Sequence, residues 1–243
     1  MKIGIFSYWK NRWVYYLQDY FKPLGIEVIY SQKIDTELLK QIDVAIIAWA
    51  NEMAIEISNL PEKLCKKYIV YIRGYEVFGD YMKQIDWTKI DDVIFTNDAY
   101  IGLAKHLGMK MPDNRIHWIP NAIDLDLWKF QEGHNKGNKV ALLANINHKK
   151  GLGLLMQILA VLPENYELHI AGLMQDWRYW TYMCHLANEN EWGKRMVYQQ
   201  FLKSAEEIMD WLKDKDYIIS TSPTEGCPNC ILEAMALGIK PVI

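Results

Sequence analysis

The sequence predicts an α/β protein made of two successive halves, each a parallel sheet flanked by helices. Three observations carry that reading. Short β-rich runs alternate with helical stretches along all 243 residues, the pattern of βαβ units. The rhythm breaks once, in a polar, glycine-containing stretch over 131–138, and resumes at Lys139. The composition, 51% hydrophobic and 23% charged, is that of a globular chain long enough for two domains.

In the first half the strands fall near 2–7, 26–30, 44–49, 68–72, 93–96 and 116–119. A helix over 12–21 carries Trp13, Tyr16, Leu17 and Tyr20 at helical spacing. Another, over 99–107, follows Asp98 as N-cap and stops at Gly108. The second half places strands at 140–143, 166–171, 196–200, 217–220 and 241–243. Its helices fall at 152–161, within 175–190, at 205–212 and at 229–237. The expected domains are therefore 1–120, a linker over 121–138, and 139–243. The last residues, Lys240-Pro241-Val242-Ile243, read as the opening of a strand. The second domain is accordingly expected to be incomplete, and the chain to be a truncated piece with little activity of its own.

Bulk properties exclude several classes. A net charge of −3, from 27 basic and 30 acidic residues, lacks the basic footprint of a nucleic-acid binder. No apolar run approaches the roughly 18 to 20 residues of a membrane span. Met1–Ser7 is too short for a signal peptide and reads as a strand. The 4 cysteines make no disulfide scaffold, so a cytoplasmic setting is expected. Aromatic residues reach 13%, with 10 Trp. Much of that belongs to the core, and the rest is available to line a sugar site or touch lipid.

The sharpest local pattern is Thr224-Glu225-Gly226-Cys227-Pro228-Asn229-Cys230-Ile231-Leu232-Glu233-Ala234-Met235-Ala236-Leu237-Gly238. It spans a loop-to-helix junction after a strand, where open α/β sheets bind ligands. Gly226 allows close backbone approach, Pro228 suits a first helical turn, and Gly238 suits the stop. Free amides and the helix dipole favour an anion there. Glu225 and Glu233 flank it as acceptors suited to hydroxyls. An anion with hydroxyls on both sides is the chemistry of a nucleotide sugar.

This segment resembles the donor motif of the retaining glycosyltransferases of family 4, also called group 1, which have the GT-B fold of two Rossmann-like domains facing a cleft. Other segments resemble the family in order: Trp118-Ile119-Pro120-Asn121-Ala122-Ile123-Asp124, Leu143-Ala144-Asn145-Ile146-Asn147-His148-Lys149-Lys150-Gly151, and Ile72-Arg73-Gly74-Tyr75-Glu76. The likeness is strongest over 217–243 and weakest before residue 60.

The resemblance implies roles. Glu225 bonds the transferred sugar, and Glu233 holds the ribose. The backbone of Cys227, Pro228, Asn229, Cys230 and Ile231 meets sugar and diphosphate, and Lys150 neutralises the leaving diphosphate. Electrostatic aid of this kind lowers a barrier by several kcal/mol (about 3 to 4 for one donor). Retention by front-face attack needs no protein nucleophile. Lys150 takes the place of a metal ion, so neither metal nor other cofactor is expected. The implied partners are a nucleotide-sugar donor and a glycan, lipid-linked or small acceptor, with peripheral contact at the inner membrane face as a further option. Bacterial surface-polysaccharide assembly is the commonest setting for such relatives.

The chain departs from the family at three places. Asn145 stands where an arginine is usual. Arg73 replaces a common histidine and is a catalytic candidate through its charge, or a structural partner of Glu76. The loop Ser7-Tyr8-Trp9-Lys10-Asn11-Arg12 lacks the usual glycines. Plainer readings accompany the functional ones. Lys149-Lys150 also fits a surface pair, and Asn145 fits turn chemistry. Cys227-x-x-Cys230 fits a redox motif, but no second cysteine pair supports zinc. Trp177–Met183 fits a packed amphipathic helix better than a membrane face, because basic residues are sparse there. A non-catalytic nucleotide-sugar or glycan-binding relative and a GT-B-like sugar-nucleotide epimerase are the alternative functions.

Overall fold

The computed structural model describes residues 1–9, 12–134 and 137–243. Lys10 and Asn11 of the loop after the first strand, and Asn135 and Lys136 of the expected linker, lie outside the described residues. The chain divides into two compact units, Met1–Pro120 and Asn121–Ile243.

The first unit runs β1 (Lys2–Phe6), α1 (Arg12–Phe21), β2 (Glu27–Ser31), α2 (Thr36–Gln41), β3 (Val44–Ala48), α3 (Glu52–Ser58), β4 (Lys67–Ile72), α4 (Tyr81–Gln84), β5 (Asp92–Phe95), α5 (Ala99–His106) and β6 (Ile116–Trp118). Its strands pair in parallel in the order β2-β1-β3-β4-β5-β6. Successive strand residues face opposite ways. Ala45 and Ile47 therefore join the main core with Phe6, Val70 and Phe95, whereas Val44 and Ile46 pack with Ile3, Ile5 and α1 on the other face.

Two local expectations are corrected here. On α1 the packed residues are Trp13, Val14, Leu17 and Phe21. Tyr16 and Tyr20 are exposed, because the four-residue step from Trp13 to Leu17 to Phe21 sets the buried stripe. Asp98 stands at the N-cap of α5, but its side chain makes no capping bond. Its backbone is already helical, and Asn97 Oδ1 accepts the Ala99 N–H at 2.9 Å instead. Asp35 and Asn51 do cap their helices, accepting from Leu38 and Met53.

The second unit runs β7 (Lys139–Leu143), α6 (Leu152–Val161), β8 (Glu167–Ala171), α7 (Trp177–Glu189), β9 (Met196–Gln199), α8 (Ala205–Leu212), β10 (Tyr217–Ile219), α9 (Asn229–Ala236) and β11 (Lys240–Val242). The parallel order is β11-β10-β7-β8-β9. The chain thus starts in the middle, builds outward through β8 and β9, then crosses to the other side of β7. Helices follow the same division. Residues of α6 and α7 pack with Val140, Leu142, Leu168 and Ile170 on one face. Residues of α8 and α9 pack with Ala141 and Ile218 on the other. The reversal leaves a crevice between the carboxyl ends of β7 and β10, the place where such sheets take ligands.

Residues 121–134 belong to this unit. Trp128 is buried with α8 and α9, and the Gln131 N–H donates to Leu237 O at 3.0 Å. Gly238 ends α9 at φ 96°, with Phe130 and Gln131 against it. On α7, Trp180 and Met183 are buried and Trp177 and Tyr182 exposed, the arrangement of a packed amphipathic helix. Among the described residues no helix is long and apolar enough to cross a membrane.

Candidate nucleotide-sugar site in the second unit

The crevice is built from two loops that the chain stitches together. The first leaves β7. Its Ala144 N–H donates to Ala171 O at 3.0 Å, and its Ile146 N–H to Leu173 O at 2.8 Å. That close approach requires Gly172, which has φ 152° and would place a Cβ 1.8 Å from Ala144 O. Asn145 is exposed on this stretch, while Ile146 is fully buried beneath it. Asn147 Oδ1 accepts the Lys149 N–H at 3.0 Å, capping a short 3-10 turn over His148–Lys150. Gly151, at φ 62°, then turns the chain into α6.

The second loop leaves β10. Thr221 Oγ1 donates to Lys150 O at 2.8 Å, and Thr221 O lies so close to Gly151 that a Cβ there would sit 2.1 Å away. With both backbones pinned, the Lys150 ammonium forms an ion pair with Glu225. Both side chains are about three-quarters buried, with 24% and 28% of their surface exposed. Burial strengthens a pair and raises the cost of leaving either charge alone.

Beyond Glu225, Asn121 Nδ2 donates to Cys227 O at 2.6 Å and so steadies the turn that enters α9. Pro228 is the N-cap of α9, not its first helical residue, and no side chain caps the helix. The first internal bonds come from Ile231 and Leu232 to Pro228 O. The amides of Asn229 and Cys230 therefore precede the helical ladder, where the partial positive charge of a helix start is concentrated.

Cys230 reports the electrostatics. Burial pushes its thiol up to about 11; Lys150 opposes the shift, and Glu233 and Glu225 add to it. Lys150, Glu225 and Glu233 thus all act on one half-buried thiol at the start of α9. The cysteines are free thiols. Among the described residues no three His, Cys, Asp or Glu side chains gather as a metal site.

The structure brings Lys150, Glu225, Cys230 and Glu233 together at the start of α9, with Gly226, Cys227, Pro228, Asn229 and Ile231 on the same turn and Asn145 in the loop after β7. Ile231 is buried and serves the core. Arg73 belongs to the first unit. Its expected bridge to Glu76 does not form through the side chains: the buried Glu76 carboxylate accepts the backbone N–H groups of Arg73 and Gly74 at 3.0 and 2.8 Å. Four residues that position the crevice had no role assigned from sequence: Asn121, Gly151, Gly172 and Thr221. Asn121 and Gly151 lie inside segments that resemble the family, and Gly172 and Thr221 are a glycine and a short polar residue just past a strand.

Residues 124–243 match the family model of glycosyl transferases group 1. No curated protein matches the chain in sequence. Solved structures match over 99% of the chain. HepE from Anabaena, in complex with UDP and glucose, superposes with a TM-score of 0.79 at 14% identity over 80% of its own length. Sucrose-phosphate synthase from Thermosynechococcus elongatus gives 0.74 at 13% over 80%. The lipopolysaccharide outer core galactosyltransferase WaaB gives 0.70 at 15% over 80%. The fold is that of the GT-B glycosyltransferases, one Rossmann-like unit following another along the chain, and the match to the group 1 family model falls on the second unit.

Proposed function

We propose that the chain transfers a sugar from a nucleoside diphosphate donor to a glycan, lipid-linked or small acceptor, with retention of anomeric configuration. The observation that carries this reading is the convergence of Lys150, Glu225 and Glu233 on the start of α9, at the reversal point of a parallel sheet. The similar Anabaena HepE has been seen with UDP, with UDP and glucose, and with UDP-glucose, which supports a donor of that class.

Each group has a task in that reaction. Breaking the anomeric bond leaves negative charge on the diphosphate and positive character on the sugar. The amides of Asn229 and Cys230 and the Lys150 ammonium meet the diphosphate oxygens. Fixed donors of this kind lower the barrier because they need no reorganisation as charge develops. Glu225 accepts from a sugar hydroxyl and keeps Lys150 oriented. Glu233 accepts from the ribose hydroxyls, and Asn145 lines the entrance to the same crevice. Lys150 supplies the positive charge without a metal ion, and holding donor and acceptor in register contributes the rest of the rate.

The test is release of nucleoside diphosphate from UDP-, GDP- and ADP-glucose, with and without an acceptor panel, followed by analysis of the sugar product. Acceptor-dependent release with an α-linked product supports the proposal. Binding without turnover identifies a non-catalytic relative, and acceptor-independent isomerisation identifies an epimerase.

A further inference from the structure

The first sheet has a reversal point of its own, between β1 and β3. Ligands bind beside such points, at the carboxyl ends of the strands. Trp49, the residue after β3, has φ 87°. Bulky residues rarely adopt that conformation, and it persists only where the surroundings impose it, commonly at functional sites. Its N–H donates to Tyr71 O at 2.8 Å. Its ring meets Trp9 edge-on at 6.0 Å and Tyr75 at a tilt at 5.5 Å, and its Nε1 is buried with no hydrogen-bond partner among the described residues. Trp9, Tyr8 and Tyr75 are all exposed, Trp9 by 53%.

Arg73, just past β4, completes the cluster. Its guanidinium lies over the Trp49 ring at 5.0 Å and the Tyr71 ring at 5.7 Å. Stacking uses the flat face and leaves the in-plane N–H edge, the part that pairs with carboxylate or phosphate. Among the described residues no acid pairs with it. Glu76 is spent on backbone amides. On α3, Glu52 accepts from the Tyr81 hydroxyl at 2.9 Å, and Glu56 faces the Tyr8 hydroxyl. The site therefore combines exposed aromatic rings, on which the C–H face of a pyranose packs, with an oriented cation held by two more.

We propose that this cluster binds the acceptor and that the acceptor is an acidic carbohydrate, its ring against Trp9 and Tyr75 and its carboxylate or phosphate on the edge of Arg73. That the ligand is an acceptor rests on the transferase reading; that an acidic sugar binds here does not.

The experiment is calorimetric titration of the whole chain with methyl glucuronide, glucose 6-phosphate, methyl glucoside and inorganic phosphate, with UDP titrated separately. The acidic sugars are expected to bind about tenfold or more tightly than the glucoside or free phosphate, the range of a charged hydrogen bond. The gap between the two acidic sugars tells carboxylate from phosphate. Arg73→Gln should reduce them to the level of the glucoside and affect UDP far less. Trp9→Ala, on an exposed side chain, should weaken every sugar and spare phosphate. Binding of both acidic sugars no tighter than the glucoside, no binding of either acidic sugar at millimolar concentration, or a loss in Arg73→Gln that falls on UDP in place of the sugars overturns the proposal. Failure of the unaltered chain to bind UDP, GDP and ADP alike counts against the transferase reading alone.

Discussion

Lys150 and Glu225 close the reversal point of the second sheet as an ion pair, the ammonium from the turn after β7 and the carboxylate from the loop after β10. On the proposed function, a diphosphate entering the crevice meets a lysine already engaged by a neighbouring acid. The pair would then loosen or be shared as the donor binds, which divides the roles of its members.

Glu225→Gln should release Lys150 for phosphate. UDP affinity is expected to hold or rise, while turnover falls by about 10²- to 10³-fold, the cost of one misplaced electrostatic group. Steady-state kinetics beside calorimetry check the split. A parallel loss of affinity and turnover would place Glu225 in binding.

Gly151→Ala should destabilise the protein far more than Gly25→Ala. Both glycines are left-handed, at φ 62° and 69°, so both substitutions carry a backbone cost of about 1–2 kcal/mol. A Cβ added to Gly25 would meet nothing within 4 Å, whereas at Gly151 a Cβ lands 2.1 Å from Thr221 O. Urea unfolding of the two variants measures the difference, and equal midpoints would show that the Lys150 and Thr221 loops do not need their close approach.

Cys230 should resist alkylation. With its thiol raised to about 11 by burial, about one part in a thousand is thiolate at pH 8. Peptide mapping after iodoacetamide treatment of the native chain is expected to find Cys230 unmodified until the pH exceeds about 10. Lys150→Met should slow it further, because Lys150 opposes the shift.

Acid should weaken the second unit through Asp214. Burial opposes its ionisation, but bonds from Lys139 and Lys215 outweigh burial and hold the carboxyl at about 2, below its usual 3.8. The ionised form favours the folded state, so the contribution is complete above the usual value and is lost as pH falls toward 2. Asp214 is half exposed, so solvent screening reduces the effect. Urea midpoints between pH 5 and 2 should fall less steeply in Asp214→Asn than in the unaltered chain.

Elements whose pattern is local were legible in the sequence. Leu152–Val161 and Ala205–Leu212 form helices with the expected bounds, because apolar spacing reports which side of a helix is buried. The residue types of the candidate site were legible too, since acids, a lysine and a glycine-proline turn stand out by type and spacing alone. Pairings were not. Lys150 and Glu225 lie 75 residues apart, and only the crossing from β9 to β10 makes their loops neighbours. The same holds for Thr221 on Lys150 O, Gly172 under Ala144, and Arg73 over Trp49. Trp49 itself gives no sign in sequence of its left-handed backbone. Tyr16 and Tyr20 look like core residues by type, yet one step of helical phase puts them in solvent.

The most direct measurement is calorimetric binding of UDP, GDP and ADP to the unaltered chain and to Glu233→Ala. One nucleotide is expected to bind, and Glu233→Ala to weaken it by about tenfold to a hundredfold, the loss of a charged acceptor for ribose hydroxyls. Binding of none of the three, or binding that Glu233→Ala leaves unchanged, would contradict a nucleotide site at the start of α9.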